Sequence, residues 1–241
     1  MKYSIVRLNI YSEEMNYVFK PPPIPTLPVV GRDEMYPVNR IFCVGRNYAE
    51  HALEMGSSVD RTAPFYFTKS TQHLREATGQ IKIASQTEDY HHEVELVVAL
   101  KNGGKNISKN HALNHVFGYG VGLDMTRRDL QKAAKDRRRP WTTAKDVQES
   151  ALVGTLTEAS IPNGKICLAV NDNIRQLAKL TEMIWSVEEI ISDLSKLYTL
   201  HAGDLIFMGT PSGVGPVSIG DKLTGSIEGL PKLEITLVSN D

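Results

Sequence analysis

Three acidic residues stand where they could hold a cation. Glu93 and Glu95 belong to the run His91-His92-Glu93-Val94-Glu95-Leu96-Val97-Val98-Ala99-Leu100. Residues two apart in a strand share a face, so both carboxylates point the same way, about 7 Å apart along the chain. The residues beyond them are apolar on both faces, so the strand enters a core, where two carboxylates repel each other and lose solvation. They must reach water, share a proton or be joined by a cation. Asp124 ends the run Phe117-Gly118-Tyr119-Gly120-Val121-Gly122-Leu123. Glycines at alternate positions leave one strand face bare and permit close backbone approach. With no accompanying cysteine, the three carboxylates form a hard oxygen site that suits Mg²⁺, Mn²⁺ or Ca²⁺. Of the two adjacent histidines, only His91 shares the carboxylate face. Spacing alone leaves other readings open: Glu-x-Glu also occurs on exposed strands, and Asp124 could be a helix cap.

A second constellation is Gly45-Arg46-Asn47-Tyr48-Ala49-Glu50-His51-Ala52-Leu53-Glu54-Met55-Gly56. On a helix His51 and Glu54 face the same side. A carboxylate beside an imidazole orients it, the arrangement of a base that activates water, although such a pair is also an ordinary surface ion pair. Gly45 and Gly56 bracket the segment and could act as hinges for a lid. Lys145 follows Pro140-Trp141-Thr142-Thr143-Ala144, a stretch so lightly charged that a lysine there calls for an anionic partner. The turn Gly209-Thr210-Pro211-Ser212-Gly213-Val214-Gly215 has small side chains and free N–H groups suited to a carboxylate; it is also a plausible plain connection, and it is no phosphate loop.

The elements that must position these groups follow from periodicity and breakers. Residues 1–10 read as an edge strand. Pro21, Pro22, Pro23, Pro25 and Pro28 then fix an extended arm, read as a surface strap. From Arg40 the pattern predicts strands at 40–45, 64–69, 80–83, 93–100, 117–124, 165–170 and 205–208, with a terminal hairpin over 222–238 around Glu228-Gly229. Helices are predicted at 48–55, 108–114, 126–136 with Thr126 as N-cap and Asp129 at N3, and 186–198 with Ser186 as N-cap and Glu189 at N3. Many strands with little βαβ alternation indicate an α+β architecture rather than a doubly wound sheet. The division expected is an N-terminal strand and proline-rich arm over 1–39 and one catalytic domain over 40–241.

The chain has 241 residues with a formal net charge of −1, so there is no basic field to hold nucleic acid or an anionic membrane. The strongest basic run, Lys135 to Arg139, reads as a solvated helix end. No apolar stretch is long enough to span a bilayer, and the N-terminus lacks the apolar core of a signal peptide. Cys43 and Cys167 lie in apolar runs with no metal spacing, which reads as buried, reduced thiols in the cytoplasm.

Taken in order, Gly45-Arg46-Asn47-Tyr48…His51, Phe67-Thr68-Lys69, His92-Glu93-Val94-Glu95-Leu96, Gly122-Leu123-Asp124-Met125-Thr126-Arg127-Arg128-Asp129, Pro140-Trp141…Lys145, Met183-Ile184-Trp185-Ser186 and Gly203-Asp204…Gly209-Thr210-Pro211-Ser212-Gly213-Val214-Gly215 resemble the fumarylacetoacetate hydrolase family. The match runs from about Arg40 to the C-terminus and is nearest the fumarylpyruvate hydrolase and acylpyruvase branch. The resemblance implies a mixed β-sandwich roll with flanking helices, a homodimer, and Mg²⁺ or Mn²⁺ held by Glu93, Glu95 and Asp124. It implies that His51 and Glu54 activate water, that Lys145 stabilises an enolate or oxyanion assisted by Lys69, that Arg128 and Gln131 contact substrate oxygens, and that Thr210 binds the substrate carboxylate. Arg46, beside the proposed lid, is a further substrate contact. Asn171-Asp172 departs from a common Asn-Gly and implies a changed hairpin turn, while Ser70-Thr71-Gln72-His73 is bulkier than the family pattern and bears on substrate preference.

The chemistry expected is cleavage of the C–C bond of a small 2-oxo acid, an acylpyruvate such as fumarylpyruvate, to pyruvate and a second acid. Two alternatives use the same residues without water attack: oxaloacetate decarboxylation and keto–enol isomerisation. A third is a non-enzymatic β module holding structural Ca²⁺.

Overall fold

The structure, a computed structural model, describes residues 16–56 and 58–240. The edge strand expected over residues 1–10 lies outside them.

Two sheets pack face to face. The larger has seven strands in the spatial order Phe65–Lys69, Arg40–Gly45, Asp204–Phe207, Val94–Leu100, Val116–Asp124, Ala151–Val153, Leu74–Glu76. The other has five, ordered Asn173–Lys179, Lys165–Val170, Lys222–Ile227, Leu233–Val238, Thr78–Lys82. Three pairings are parallel (40–45 with 204–207, 74–76 with 151–153, 78–82 with 233–238) and the other pairings of these two sheets are antiparallel. With helices at Ala49–Glu54, Arg128–Asp136, Thr142–Lys145 and Val187–Leu197, this is the expected α+β fold with a mixed sheet and flanking helices.

The main core lies between the sheets, where Leu96, Val98 and Val121 meet Ile166, Leu168, Leu223, Leu233 and Ile235. A second core covers the opposite face of the large sheet and joins Ile41, Cys43, Val97, Ala99, Leu205 and Phe207 to Leu27, Val29, Tyr36 and Val38. The central strand Val94–Leu100 is therefore buried on both faces, which is why it reads as apolar sequence without a break from Leu96 to Leu100. The proline-rich segment is more than a surface strap. Pro21, Pro22 and Pro23 are exposed, but Thr26–Leu27 pairs with Tyr36–Pro37, and Leu27 is fully buried.

The bare glycine face admits a neighbouring chain, as expected. A Cβ at Gly118 would stand 2.3 Å from the Thr157 carbonyl oxygen, because Tyr119 and Thr157 exchange backbone hydrogen bonds there. The helix after Asp124 starts later than predicted. Thr126 and Arg127 form a short strand against Tyr90–His92, and Arg127, not Thr126, is the N-cap. Asp129 spends its carboxylate on Thr87 Oγ1 and the Glu88 N–H as well as on its own turn, so it ties the helix to the loop before the strand Tyr90–His92. The predicted helix near 108–114 is a 3₁₀ segment, Lys109–His115. By contrast, the Ser186–Glu189 capping box is formed in full. Asn171 and Asp172 both adopt positive φ (49° and 62°), the two-residue turn that closes a hairpin between 165–170 and 173–179. Cys43 is buried and Cys167 only partly so; both are free thiols. Among the described residues no helix is long and apolar enough to cross a membrane.

Candidate active site

Strand register brings the carboxylates together. Glu95 pairs with Gly122, and the Asp124 N–H donates to the Glu93 carbonyl at 2.9 Å, which sets Asp124 opposite Glu93. One ligand oxygen from each of Glu93, Glu95 and Asp124 lies within 4.8 Å of the others, and all three residues are buried. His91 is not in this group. Asp89 holds its Nε2 at 2.7 Å, and Arg128 approaches its Nδ1 at 3.4 Å.

Cations surround the cluster unevenly. Lys145 Nζ lies 2.7 Å from both Glu93 Oε2 and Asp124 Oδ2, the anionic partners its sequence context called for. Arg128 pairs with Glu93 Oε1 and donates to Gln131 Oε1 at 2.7 Å. Burial pushes the Glu93 carboxyl up, but Lys145 and Arg128 outweigh it and hold the group well below the usual carboxylate range. Glu95 has no cation against it. Among the described residues it accepts only the Gly209 N–H, at 2.7 Å, and burial and the charges of Asp124 and Glu93 push it well above that range. Burial opposes the charge on Lys145, yet Asp124 and Glu93 keep it protonated.

These residues fit a divalent cation. Three hard oxygen donors converge, a lysine ammonium already bridges two of them, and the third lacks a positive partner.

Above the cluster opens a cleft whose lining includes Arg46, His51, Arg128, Gln131, Lys135 and Lys145. His51 is 6% exposed and its Nδ1 lies 3.1 Å from Glu54 Oε2. An N–H at Nδ1 directed to Glu54 leaves the Nε2 lone pair free to accept a proton. Burial lowers the His51 pKa despite the upward pull of Glu93 and Glu54, so the imidazole is neutral near pH 7. The other Glu54 oxygen accepts the Gly213 N–H at 3.0 Å, and Ser212 Oγ donates to Glu50 at 3.2 Å. The short helix is thus docked on the 209–215 turn. Buried Asn47 anchors its start through Met208 O, Trp185 O and Trp185 N.

Two expected substrate contacts, Lys69 and Thr210, are engaged by the protein itself. Lys69 sits beneath Asp124, 2.8 Å from Oδ1, and its remaining contacts are the Met125, Lys145 and Ser150 carbonyls and Ser150 Oγ. It supports the cluster from behind and does not line the cleft. Thr210 does line it, but its single hydroxyl proton goes to the Val94 carbonyl at 2.8 Å, while Gln176 Nε2 donates to the same oxygen at 2.8 Å. That leaves the hydroxyl no proton for a carboxylate. The 70–73 segment is held by Asp146, which accepts from the Ser70 N–H at 2.7 Å and contacts His73 Nδ1 at 2.6 Å; it too stands outside the cleft.

Sequence reading missed three groups. Gln176 is fully buried on a strand whose apolar Ile174 and Leu177 face solvent; it joins His92, Val94 and Thr210 into one network, and nothing in the local pattern marks it. Asn47 stood within a quoted motif without a role. Lys135 was readable: Arg128, Gln131 and Lys135 follow the i, i+3, i+7 spacing of one helix face, and all three line the cleft.

Comparison with known proteins agrees with this geometry. Residues 40–238 match the family described as fumarylacetoacetate (FAA) hydrolase C-terminal. A fumarylpyruvate hydrolase of Ralstonia sp is 43% identical over 188 residues, 76% of this chain and 98% of that protein. The mitochondrial oxaloacetate tautomerase FAHD1 of Arabidopsis thaliana is 39% identical over 199 residues, 81% of this chain and 89% of that protein. The crystal structure of fumarylpyruvate hydrolase from Pseudomonas aeruginosa in complex with Mn²⁺ and pyruvate superposes with a TM-score of 0.91 at 42% identity, covering 93% of this chain and all of that one.

Proposed function

The chain belongs to the fumarylacetoacetate hydrolase family, and on that premise we propose that it is a divalent-metal-dependent hydrolase that cleaves the C3–C4 bond of an acylpyruvate. The observation that carries this reading is a buried triad of carboxylates within 4.8 Å in the same cleft as a neutral, carboxylate-oriented imidazole.

Glu93, Glu95 and Asp124 would hold Mg²⁺ or Mn²⁺. The bound ion would supply Lewis acidity toward the oxygens of the pyruvyl end. His51, oriented by Glu54, takes a proton from water as its oxygen adds to the C4 carbonyl. The C3–C4 bond then breaks, its electron pair staying on the pyruvyl fragment as an enolate, which Lys145 stabilises as charge develops. Protonation at C3 gives pyruvate, and C4 leaves as the second carboxylic acid. One water is consumed and one proton is released. Arg46 and Gln131 serve as substrate contacts within the cleft.

A second reading keeps the carboxylates and Lys145 but omits water attack, giving keto–enol conversion or decarboxylation of oxaloacetate. Similarity to an oxaloacetate tautomerase supports it. The same overall picture takes the protein as a cytoplasmic homodimer with residues 40–241 as catalytic domain and 1–39 as an appended arm; mass by light scattering tests the dimer.

The deciding experiment is a panel of acetylpyruvate, fumarylpyruvate and oxaloacetate, followed for pyruvate and for enol absorbance with Mg²⁺, with Mn²⁺ and with EDTA. Metal-dependent pyruvate release from an acylpyruvate is expected. Turnover of oxaloacetate alone would replace the hydrolase reading with the second one.

A further inference from the structure

Asp89 and His91 stand beside the carboxylate cluster, and the reaction proposed above uses neither. Asp89 Oδ1 lies 2.7 Å from His91 Nε2, and Arg128 Nε lies 3.4 Å from His91 Nδ1. An arginine Nε–H can only donate, so Nδ1 must present its lone pair and the ring proton must sit on Nε2, facing Asp89. The Asp89 carboxylate thereby selects the tautomer that Arg128 needs. With the ring in that form every guanidinium nitrogen has a partner: Nε in His91, Nη1 in Gln131 Oε1 at 2.7 Å and Nη2 in Glu93 Oε1.

The frame around these groups is held independently of them. His91 sits on the short strand Tyr90–His92, paired with Thr126–Arg127 on one side and Gly215–Pro216 on the other. The preceding loop is tied to the helix start, because the Arg128 N–H donates to the Asp89 carbonyl at 2.7 Å and both Asp129 oxygens bind residues 87–88. Among the described residues the Asp89 carboxylate bonds only to His91, so the loop does not depend on it. The ordinary account of such a pair is a surface ion pair, since the Asp89 side chain is 43% exposed. That account does not explain why the His91 side chain is only 13% exposed and turns its other nitrogen inward onto Arg128.

We infer that Asp89 and His91 are positioning residues that lock the Arg128 guanidinium in the plane where it holds Glu93 in place beside Glu95 and Asp124. Partners of this kind, one step behind a metal-binding carboxylate, set the direction in which its oxygens point. The inference rests on the metal-dependent reading above, and the test separates the two.

Mn²⁺ binding to the chelator-stripped protein is measured by calorimetry in the parent, His91→Phe, His91→Asn, Asp89→Asn and the double variant with both asparagines. Phenylalanine keeps a ring and removes the acceptor, whereas asparagine offers a carbonyl oxygen near the Nδ1 position whatever Asp89 does. His91→Phe should weaken Mn²⁺ about tenfold or more, and His91→Asn should recover most of that loss. Asp89→Asn should weaken it roughly threefold or more in the parent background, because the amide no longer selects one tautomer. In the His91→Asn background the same change should do nothing, since no tautomer remains to be set. Equal affinity in His91→Phe, or an equal loss from Asp89→Asn in both backgrounds, overturns the inference. Nitrogen-15 correlation spectra of the His91 ring in metal-free protein read the tautomer directly. The parent should carry its proton on Nε2, and Asp89→Asn should gain the Nδ1–H form. A parent ring protonated at Nδ1, or an unchanged ring in Asp89→Asn, likewise overturns it. If the parent binds no Mn²⁺, the metal-dependent hydrolase reading fails, and the spectra alone decide the relay.

Discussion

Replacing Glu95 by glutamine should stabilise the metal-free protein and shrink the further stabilisation that metal gives. Glu95 is the one member of the triad without a cation against it, yet it lies within 4.8 Å of two carboxylates. Two unit charges at that separation repel by roughly 3.5 kcal/mol at an effective dielectric of about 20. Glu95 escapes much of this by binding a proton, so relief of the remaining strain is worth about 1–2 kcal/mol. The glutamine oxygen can still accept the Gly209 N–H, and no cavity is made. In EDTA the variant's Tm should therefore rise by roughly 2–8 °C for a chain of this size. With Mg²⁺ or Mn²⁺ at a hundred times the parent's Kd, the parent gains about 2.7 kcal/mol from binding, whereas the variant, with a weaker ligand, gains less. Scanning calorimetry of both proteins with chelator and with metal reads all four states. If Glu95→Gln lowers Tm in EDTA, or if metal raises both proteins equally, the crowded-carboxylate account of the site is refuted.

His51→Ala should cut acylpyruvate hydrolysis roughly a hundredfold or more while the metal-induced rise in Tm stays at the parent value. An unchanged rate would remove His51 from the mechanism. Because burial holds its pKa below the ordinary 6.5, the neutral base persists under that pH. kcat/KM should stay level down to pH 6.5 and fall only as pH drops through the lowered value; a parent profile that already falls above 6.5 would contradict the burial argument. Lys145→Met strips Glu93 and Asp124 of a shared ammonium in a fully buried setting, so stability in EDTA should fall by about 3–5 kcal/mol, with metal restoring part of it. Pyruvate release should drop by roughly 10²–10³. A Lys145→Met protein as stable and active as the parent would rule that role out.

How much of this was legible before the structure depends on the kind of constraint involved. Period-two alternation gave Glu93 and Glu95 a common face, and glycine spacing foretold the close approach of Thr157 to Gly118; both follow from strand geometry within a few residues. The Ser186–Glu189 cap was readable for the same reason. The start of the helix after Asp124 was misread, because Thr126 is recruited into a strand with His91 and Asp129 into a tie with residues 87–88. Those partners are remote in sequence. The protein partners of Lys69 and Thr210 were out of reach on the same ground: which carbonyl or carboxylate satisfies a buried ammonium or hydroxyl is decided by tertiary packing. Gln176 lay wholly beyond reach, since the sheet turns its apolar neighbours outward and buries the amide. Lys135, by contrast, was hidden only by treating a basic run as one exposed face when helical spacing divided it.

The Glu54 carboxylate divides its two oxygens between His51 and the backbone of Gly213. Orientation of the proton acceptor and docking of the short helix on the 209–215 turn are therefore one event rather than two. Were the helix to leave the turn, Glu54 would lose an anchor and its carboxylate would be free to rotate away from the imidazole. On the proposed mechanism the two hydrogen bonds would then act as a safety catch, because a water molecule entering an undocked cleft would meet a histidine no longer held in working alignment.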